Sequence, residues 1–237
     1  MFSQIFYAVL YQPLLNILVF FYNITPGHDF GVAIIILTII IRLVLWPLSK
    51  KAIAGQKAMS SLQPKIKELQ IKFKNNKQEL AKATMELYKN EKVNPLASCL
   101  PMLIQLPILI ALYWVLMAVL KSEKFDLLYP FIQNPGTIKT MAFGFLNLAD
   151  KSWVLAVLAG AAQYWQTKML PMTPPVVKGE GSKDEGISAM MNKQMLYMMP
   201  LMTVFIGGTL PGGLTFYWLI TTLLTGLQQW LMFRKKI

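Results

Sequence analysis

The sequence predicts an all-α polytopic membrane protein, with five transmembrane helices around a hydrophilic groove, an N-terminal interfacial helix and a cytoplasmic helical hairpin. Three observations carry that prediction. The 237 residues are 55% hydrophobic, and several apolar runs approach the roughly 20 residues needed to cross a bilayer. Lys and Arg crowd into some connecting segments and thin out in others, which sets orientation. Polar residues recur at helical spacing along several apolar runs, so one face of each turns away from lipid.

The formal net charge is +12, from 23 Lys and Arg against 11 Asp and Glu. In a membrane protein that excess reads as basic cytoplasmic loops, and no direct nucleic-acid sequence recognition is expected. The single cysteine, Cys99, and single histidine, His28, exclude an intrachain disulfide, a Cys- or His-rich metal site and a Cys–His nucleophile. No Ser/His or paired-Asp constellation falls within the spans. The expectation is a protein that is not an enzyme, with no metal and no cofactor.

Residues 1–30 are expected to form an N-terminal interfacial amphipathic helix and a turn. Residues 1–22 are apolar, but Pro13 interrupts them and Gln4, Gln12 and Asn16 are scattered through them. The basic flank of a secretory signal is missing. The reading is a helix lying along the membrane and broken near Pro13, with a spanning helix as the alternative.

The first span is placed at 31–49, within GVAIIILTIIIRLVLWPLSK. Gly31, Thr38, Arg42 and Ser49 share one helical face. A charge at the centre of a span costs roughly 2.5–3.5 kcal/mol. The surrounding Ile and Leu, each worth about −0.3 to −0.6 kcal/mol, offset it. Pro47 is placed to kink the cytoplasmic end. Arg42 lies eight residues from Lys50, about 12 Å along a helix, so snorkelling to the cytoplasmic interface is its structural alternative.

Residues 50–94 read as a cytoplasmic hairpin of two amphipathic helices. Lys65, Lys67, Lys72, Lys74 and Lys77 are among its many lysines. Leu62, Ile66, Leu69 and Phe73 make one apolar stripe, and Leu80, Ala83 and Leu87 make another, joined by a turn at Asn75-Asn76. The second span is placed at 95–120, with Gln105 inside it. An extracytoplasmic loop, 121–152, carries little charge bias; its FGFLNL (143–148) is suited to dip into the interface. The third span is 153–171, where Ala156, Gly160, Gln163 and Thr167 form a small-and-polar stripe. Residues 172–189 read as a cytoplasmic loop, and the GEG within it lacks the context of a phosphate loop.

The fourth span, 190–208, is rich in methionine. Packing is the favoured reading, and a deformable contact surface is the other. The fifth, 212–233, places Thr215, Trp218, Thr222, Thr225 and Gln229 on one face, and a cytoplasmic tail, 234–237, follows. Five spans, with the N-terminus outside and the C-terminus cytoplasmic, satisfy every loop charge. Thr38, Arg42, Gln105, Gln163, Thr215, Trp218, Thr222, Thr225 and Gln229 are then the candidate groove residues. Arg42 is the only fixed charge among them, and no intramembrane carboxylate is available to pair with it.

Three stretches carry a resemblance: AIIILTIIIRLVLWPL in the first span, ELYKNEKVNPLASCLPMLIQLPI (86–108), and MMPLMTVFIGGTLPGGLTFYWLITTLLTGLQQ (198–229). In that order they resemble the YidC family of membrane-protein insertases, which has mitochondrial and chloroplast relatives. The resemblance implies an insertase and chaperone in a bacterial inner membrane. Its groove would open to cytoplasm and lipid and close outside, and Arg42 would attract acidic or polar extracellular segments of nascent membrane proteins before their spans pass into lipid. Gln163 and Trp218 resemble groove residues of the family. The implied partners are nascent membrane proteins and the lipid bilayer, with the Sec translocon, the signal recognition particle pathway and the ribosome as further candidates. Only RKKI follows the last span, so ribosome contact is expected at the cytoplasmic loops. The residues alone leave two rival functions open: an anion-site secondary transporter or channel, and a structural membrane-complex assembly subunit.

Overall fold

The computed structural model describes residues 2–73, 76–94, 100–121, 123–169 and 194–234. The expected cytoplasmic loop 172–189, residues 190–193 of the fourth span, Lys74 and tail residues 235–237 lie outside the described residues.

The chain is mostly helical. It opens with α1 (Phe2–Phe6), a π-helical turn (Tyr7–Tyr11) and α2 (Gln12–Ile24), which run on as one helix. The expected break near Pro13 is therefore absent. The widened turn just before Pro13 accommodates a residue that has no N–H to give to the preceding turn. Leu14, Leu15, Leu18, Val19 and Tyr22 bury one face of α2, chiefly against α3.

By length and composition, residues 4–24 could cross a membrane. Their contacts, however, run along residues 124–139 from end to end. The Lys124 ammonium lies over the Tyr7 and Tyr11 rings. Gln12 and Asn16 side-chain amides donate to the Leu127 carbonyl, each at 3.1 Å. The Tyr129 N–H donates to Asn16 at 2.6 Å. The Asn23 amide donates to the Gln133 carbonyl, and the Lys139 N–H donates to the Tyr22 hydroxyl.

α3 (Phe30–Val44) begins at Asp29, whose carboxylate accepts the Val32 N–H at 2.9 Å. It ends at Leu45, where the chain bends by 66° into α4 (Trp46–Ser61). The span expected over 31–49 is thus not one straight helix. Pro47, in the first turn of α4, cannot continue the hydrogen-bond ladder of α3.

The hairpin expected over 50–94 likewise differs from two helices. It comprises the rest of α4, then α5 (Gln63–Lys72) and α6 (Lys77–Asn90). Pro64 starts α5 for the same reason that Pro47 starts α4, and Asn76 caps α6 by accepting the Glu79 N–H. Ala52 and Ile53 of α4 are buried, so α4 belongs to the bundle while α5 and α6 project from it.

α7 (Leu100–Leu120) follows. The loop that follows forms a short antiparallel hairpin, β1 (Met141–Ala142) with β2 (Leu146–Asn147), in which Met141 faces Asn147 and Ala142 faces Leu146. α8 (Trp153–Met169), a π-helical turn (Gln194–Met198), α9 (Met199–Thr209) and α10 (Gly212–Arg234) complete the described chain.

α8, α9 and α10 pack closely through small residues. A Cβ at Gly160 would strike Val204, and one at Gly207 would press on Thr215 and Ala156. Of the described helices, two are apolar and long enough to cross a membrane unbroken, at 4–24 and 103–120; the bent pair α3–α4 makes a third if it is a single span. The others are shorter or carry the polar stripes that lower their hydropathy.

Candidate functional site

A cavity of about 270 Å³ lies between α3, α4, α7, α8 and α10. A water molecule occupies about 30 Å³ in the liquid, so the space admits several waters or a short polar segment. Arg42 and Leu45 form one side, Ser49 and Ala52 of α4 a second, and Ile104 and Gln105 of α7 a third. Gln163 and Gln166 of α8 face Trp218, Thr221, Thr222 and Thr225 of α10.

Each element contributes for a local reason. α10 presents its face at a spacing of three and four residues, so Trp218, Thr221, Thr222 and Thr225 fall together. α8 offers Gln163 and Gln166 one turn apart. The 66° bend at Leu45 swings Ser49 and Ala52 back over the cavity beside Arg42.

Among the described residues, Arg42 is the only charged one lining this space. Among the described residues the one ion pair is Lys65–Glu91, between α5 and the residue that follows α6, and Arg42 has no hydrogen bond to another described residue. Asp29 lies thirteen residues before Arg42, about 20 Å along the helix, and its carboxylate is taken by the Val32 and Phe143 N–H groups. A half-buried guanidinium thus stands among amides and hydroxyls with its donors unassigned.

Those neighbours are partly committed. The Gln105 amide donates to the Tyr217 hydroxyl at 2.9 Å. Thr167 donates to the Gln163 carbonyl at 2.8 Å, and Thr225 to the Thr221 carbonyl at 2.6 Å. Thr221 Oγ1 is buried with no hydrogen-bond partner among the described residues, as is Gln229 Oε1 farther along α10. Buried polar atoms without partners are rare in a finished core, and here one of them borders a cavity.

Of the residues expected to line a groove, Arg42, Gln105, Gln163, Trp218, Thr222 and Thr225 meet at this cavity. Thr38, Thr215 and Gln229 do not line it. Thr38 is fully buried and donates to the Ile34 carbonyl of its own helix. Thr215 donates across the outer turn to the Gly207 carbonyl at 2.8 Å, fastening α9 to α10. Gln229 is buried farther along α10, outside the cavity lining. The added polar lining residues are Ser49, Gln166 and Thr221, beside the apolar Leu45, Ala52 and Ile104. Ser49 shares the helical face of Arg42, Gln166 follows Gln163 by one turn, and Thr221 adjoins Thr222, so each had a signal in the spacing.

Of the hairpin lysines, Lys65 pairs with Glu91 and the Lys72 ammonium lies over the Phe73 ring. Lys67 is half-buried, and Lys77 opens α6.

Comparison with known proteins gives a consistent result. The family model described as "60Kd inner membrane protein" matches residues 20–237. A protein of Fusobacterium nucleatum named membrane protein insertase YidC is 36% identical over 230 residues, covering 96% of this chain and 98% of the relative. Proteins of the same name from Tolumonas auensis and Psychromonas ingrahamii are each 36% identical over 94% of this chain. This chain spans only 36% and 35% of their respective lengths. Among solved structures, an active YidC insertase with its first transmembrane domain resolved superposes with a TM-score of 0.60 at 24% identity, covering 99% of this chain and 47% of that one. At that identity the likeness speaks for the fold.

Proposed function

The chain belongs to the YidC, or 60Kd inner membrane protein, family, and on that footing we propose that it is a membrane-protein insertase and chaperone rather than an enzyme. The observation that carries the reading is the unpaired Arg42 guanidinium as sole charge in a cavity of amides and hydroxyls between apolar helices.

In this reading α3 with α4, α7, α8, α9 and α10 make five crossings, the cavity is the floor of a groove open to the cytoplasm, and the C-terminus is cytoplasmic. The N-terminal helix lies along the outer interface. A helix crossing the bilayer would meet an outer loop at one end only, whereas Tyr7, Gln12, Asn16, Tyr22 and Asn23 all touch residues 124–139.

A polar or acidic segment of a nascent chain, arriving from the cytoplasm, exchanges bulk water for the groove's hydroxyls and amides and does not meet hydrocarbon. A carboxylate about 4 Å from Arg42 gains about 4 kcal/mol at an effective dielectric near 20, against about 1 kcal/mol in water. That gain draws the segment in and remains small enough for release. The adjoining apolar span of the substrate then passes into lipid. Nascent membrane proteins and the bilayer are the partners; the Sec translocon, the signal recognition particle pathway and the ribosome are candidates to approach from the α5–α6 side.

Site-specific crosslinking tests this. A photoreactive residue at Gln163 or Thr222 is expected to capture a ribosome-stalled, single-span substrate through its translocating polar segment, and one at Thr38 is not. Equal capture at all three positions would contradict the groove.

A further inference from the structure

The tip of the outer β-hairpin has a composition and a backbone that the groove does not explain. From Thr140 to Ala149 the chain carries no charged residue. Phe143 and Gly144, between β1 and β2, both have positive φ, 54° and 78°, and the Phe145 N–H closes the turn on the Ala142 carbonyl at 3.2 Å. Two left-handed residues in succession are the preference of Asn-Gly, not Phe-Gly. The strained phenylalanine has therefore not been chosen for the sake of the turn.

Nor has it been chosen for the core. Phe143 is 46% exposed and Phe145 is 79% exposed, with their rings 6.3 Å apart. The tip is also held rigidly. The Phe143 N–H donates to Asp29, the residue that caps α3, and the Phe143 ring meets Phe216 of α10 edge-on at 6.1 Å. Ala142 beneath it is buried against Gly31. A rigid mount at the outer end of α3 and α10 fixes the height of the two rings relative to the helices. Trp153 and Val154, which open α8, are likewise exposed and apolar.

We infer that Phe143 and Phe145 form an outer-leaflet anchor: a rigid aromatic tip that sits among lipid acyl chains just below the headgroups. Phe and other apolar side chains of interfacial segments bury at the headgroup–acyl boundary, and two nearby exposed phenylalanines favour leaving water. The anchor sets the depth of the outer cap, and through Asp29 the depth of α3 and Arg42. The inference rests on the membrane placement proposed above and is independent of what the groove carries.

Nitroxide accessibility in proteoliposomes tests it. In a Cys99→Ser background, Phe145→Cys is spin-labelled and its collision rates with oxygen and with a water-soluble nickel chelate are compared with those of Gln133→Cys on the same loop and Val157→Cys on α8. Met141→Cys, on the same hairpin, replaces Phe145→Cys if that variant does not fold. The expected oxygen-to-nickel ratio at the tip is several-fold above that at residue 133 and approaches that at residue 157. A tip equal to residue 133 means a water-exposed loop, and a tip shielded from both reagents means a protein partner or second copy; either overturns the anchor. If residue 157 also reads as water, the membrane placement itself fails, and the anchor with it.

Discussion

At one end of the bundle, residues 123–152 fold onto the helices through a series of specific hydrogen bonds. Asn16 holds Leu127 and Tyr129, the Tyr22 hydroxyl holds Lys139, and the Gly212 and Gly213 N–H groups donate to the Asp150 and Leu148 carbonyls at 2.8 Å. Ile132, Ala142 and Leu148 are buried in the same core as α2, α3 and α7. At the other end, α5 and α6 have no buried residue among those described. They meet each other, the end of α4 and one exposed ion pair. Regions with few buried apolar contacts open at low free energy. The contrast is one of cohesion: one end of the bundle is fastened by packing and hydrogen bonds, and the other carries helices that can move at low free energy.

The largest effect should come from forcing the fastened end apart. Gly31→Val drives a side chain into Ala142 and the backbone of the outer hairpin. Overpacking of this kind costs about 3 kcal/mol at the upper end of its range, and the midpoint in detergent should fall by about 6–12 °C, measured by near-ultraviolet circular dichroism. An unchanged midpoint would mean that the outer cap is not part of the cooperative core.

Next comes Asn16→Leu. It leaves the Tyr129 N–H without its partner in a site where Asn16 is 1% exposed, a loss of about 1–3 kcal/mol. The same thermal scan reads it, and protease nicking within 124–139 should accelerate.

The smallest effect belongs to the other end. A double-mutant cycle on Lys65 and Glu91 should give a coupling below about 1 kcal/mol, because both side chains are substantially exposed and screened. A coupling as large as the Asn16 effect would erase the difference between the two ends.

Much of this could be read from residue spacing. The α10 stripe led to Trp218, Thr222 and Thr225, and the isolation of Arg42 marked the site before any geometry was known. Spacing identifies a face, but it does not say how far along that face a neighbour packs. Thr215 left the groove because Gly207, with no side chain, lets α9 approach closely enough for a hydrogen bond. Thr38 left because its hydroxyl can be satisfied within its own helix. Pro47 announced a kink but not its 66° amplitude, and that amplitude brings Ser49 and Ala52 to the cavity. The fastened end was illegible for a further reason. Its bonds join side chains to backbone groups more than a hundred residues away, and no local pattern encodes such a partner.

The central claim is that Arg42 acts by its charge. Reconstitution of purified protein in liposomes, with insertion of a single-span substrate carrying an acidic outer segment read by protease protection, tests it most directly. The account predicts that Arg42→Lys retains most insertion. Arg42→Glu should lose about tenfold or more, since replacing an attraction of even 1.4 kcal/mol by repulsion exceeds a factor of 10, and a substrate with a neutral outer segment should be affected far less. Normal insertion of the acidic substrate by Arg42→Glu would contradict the account.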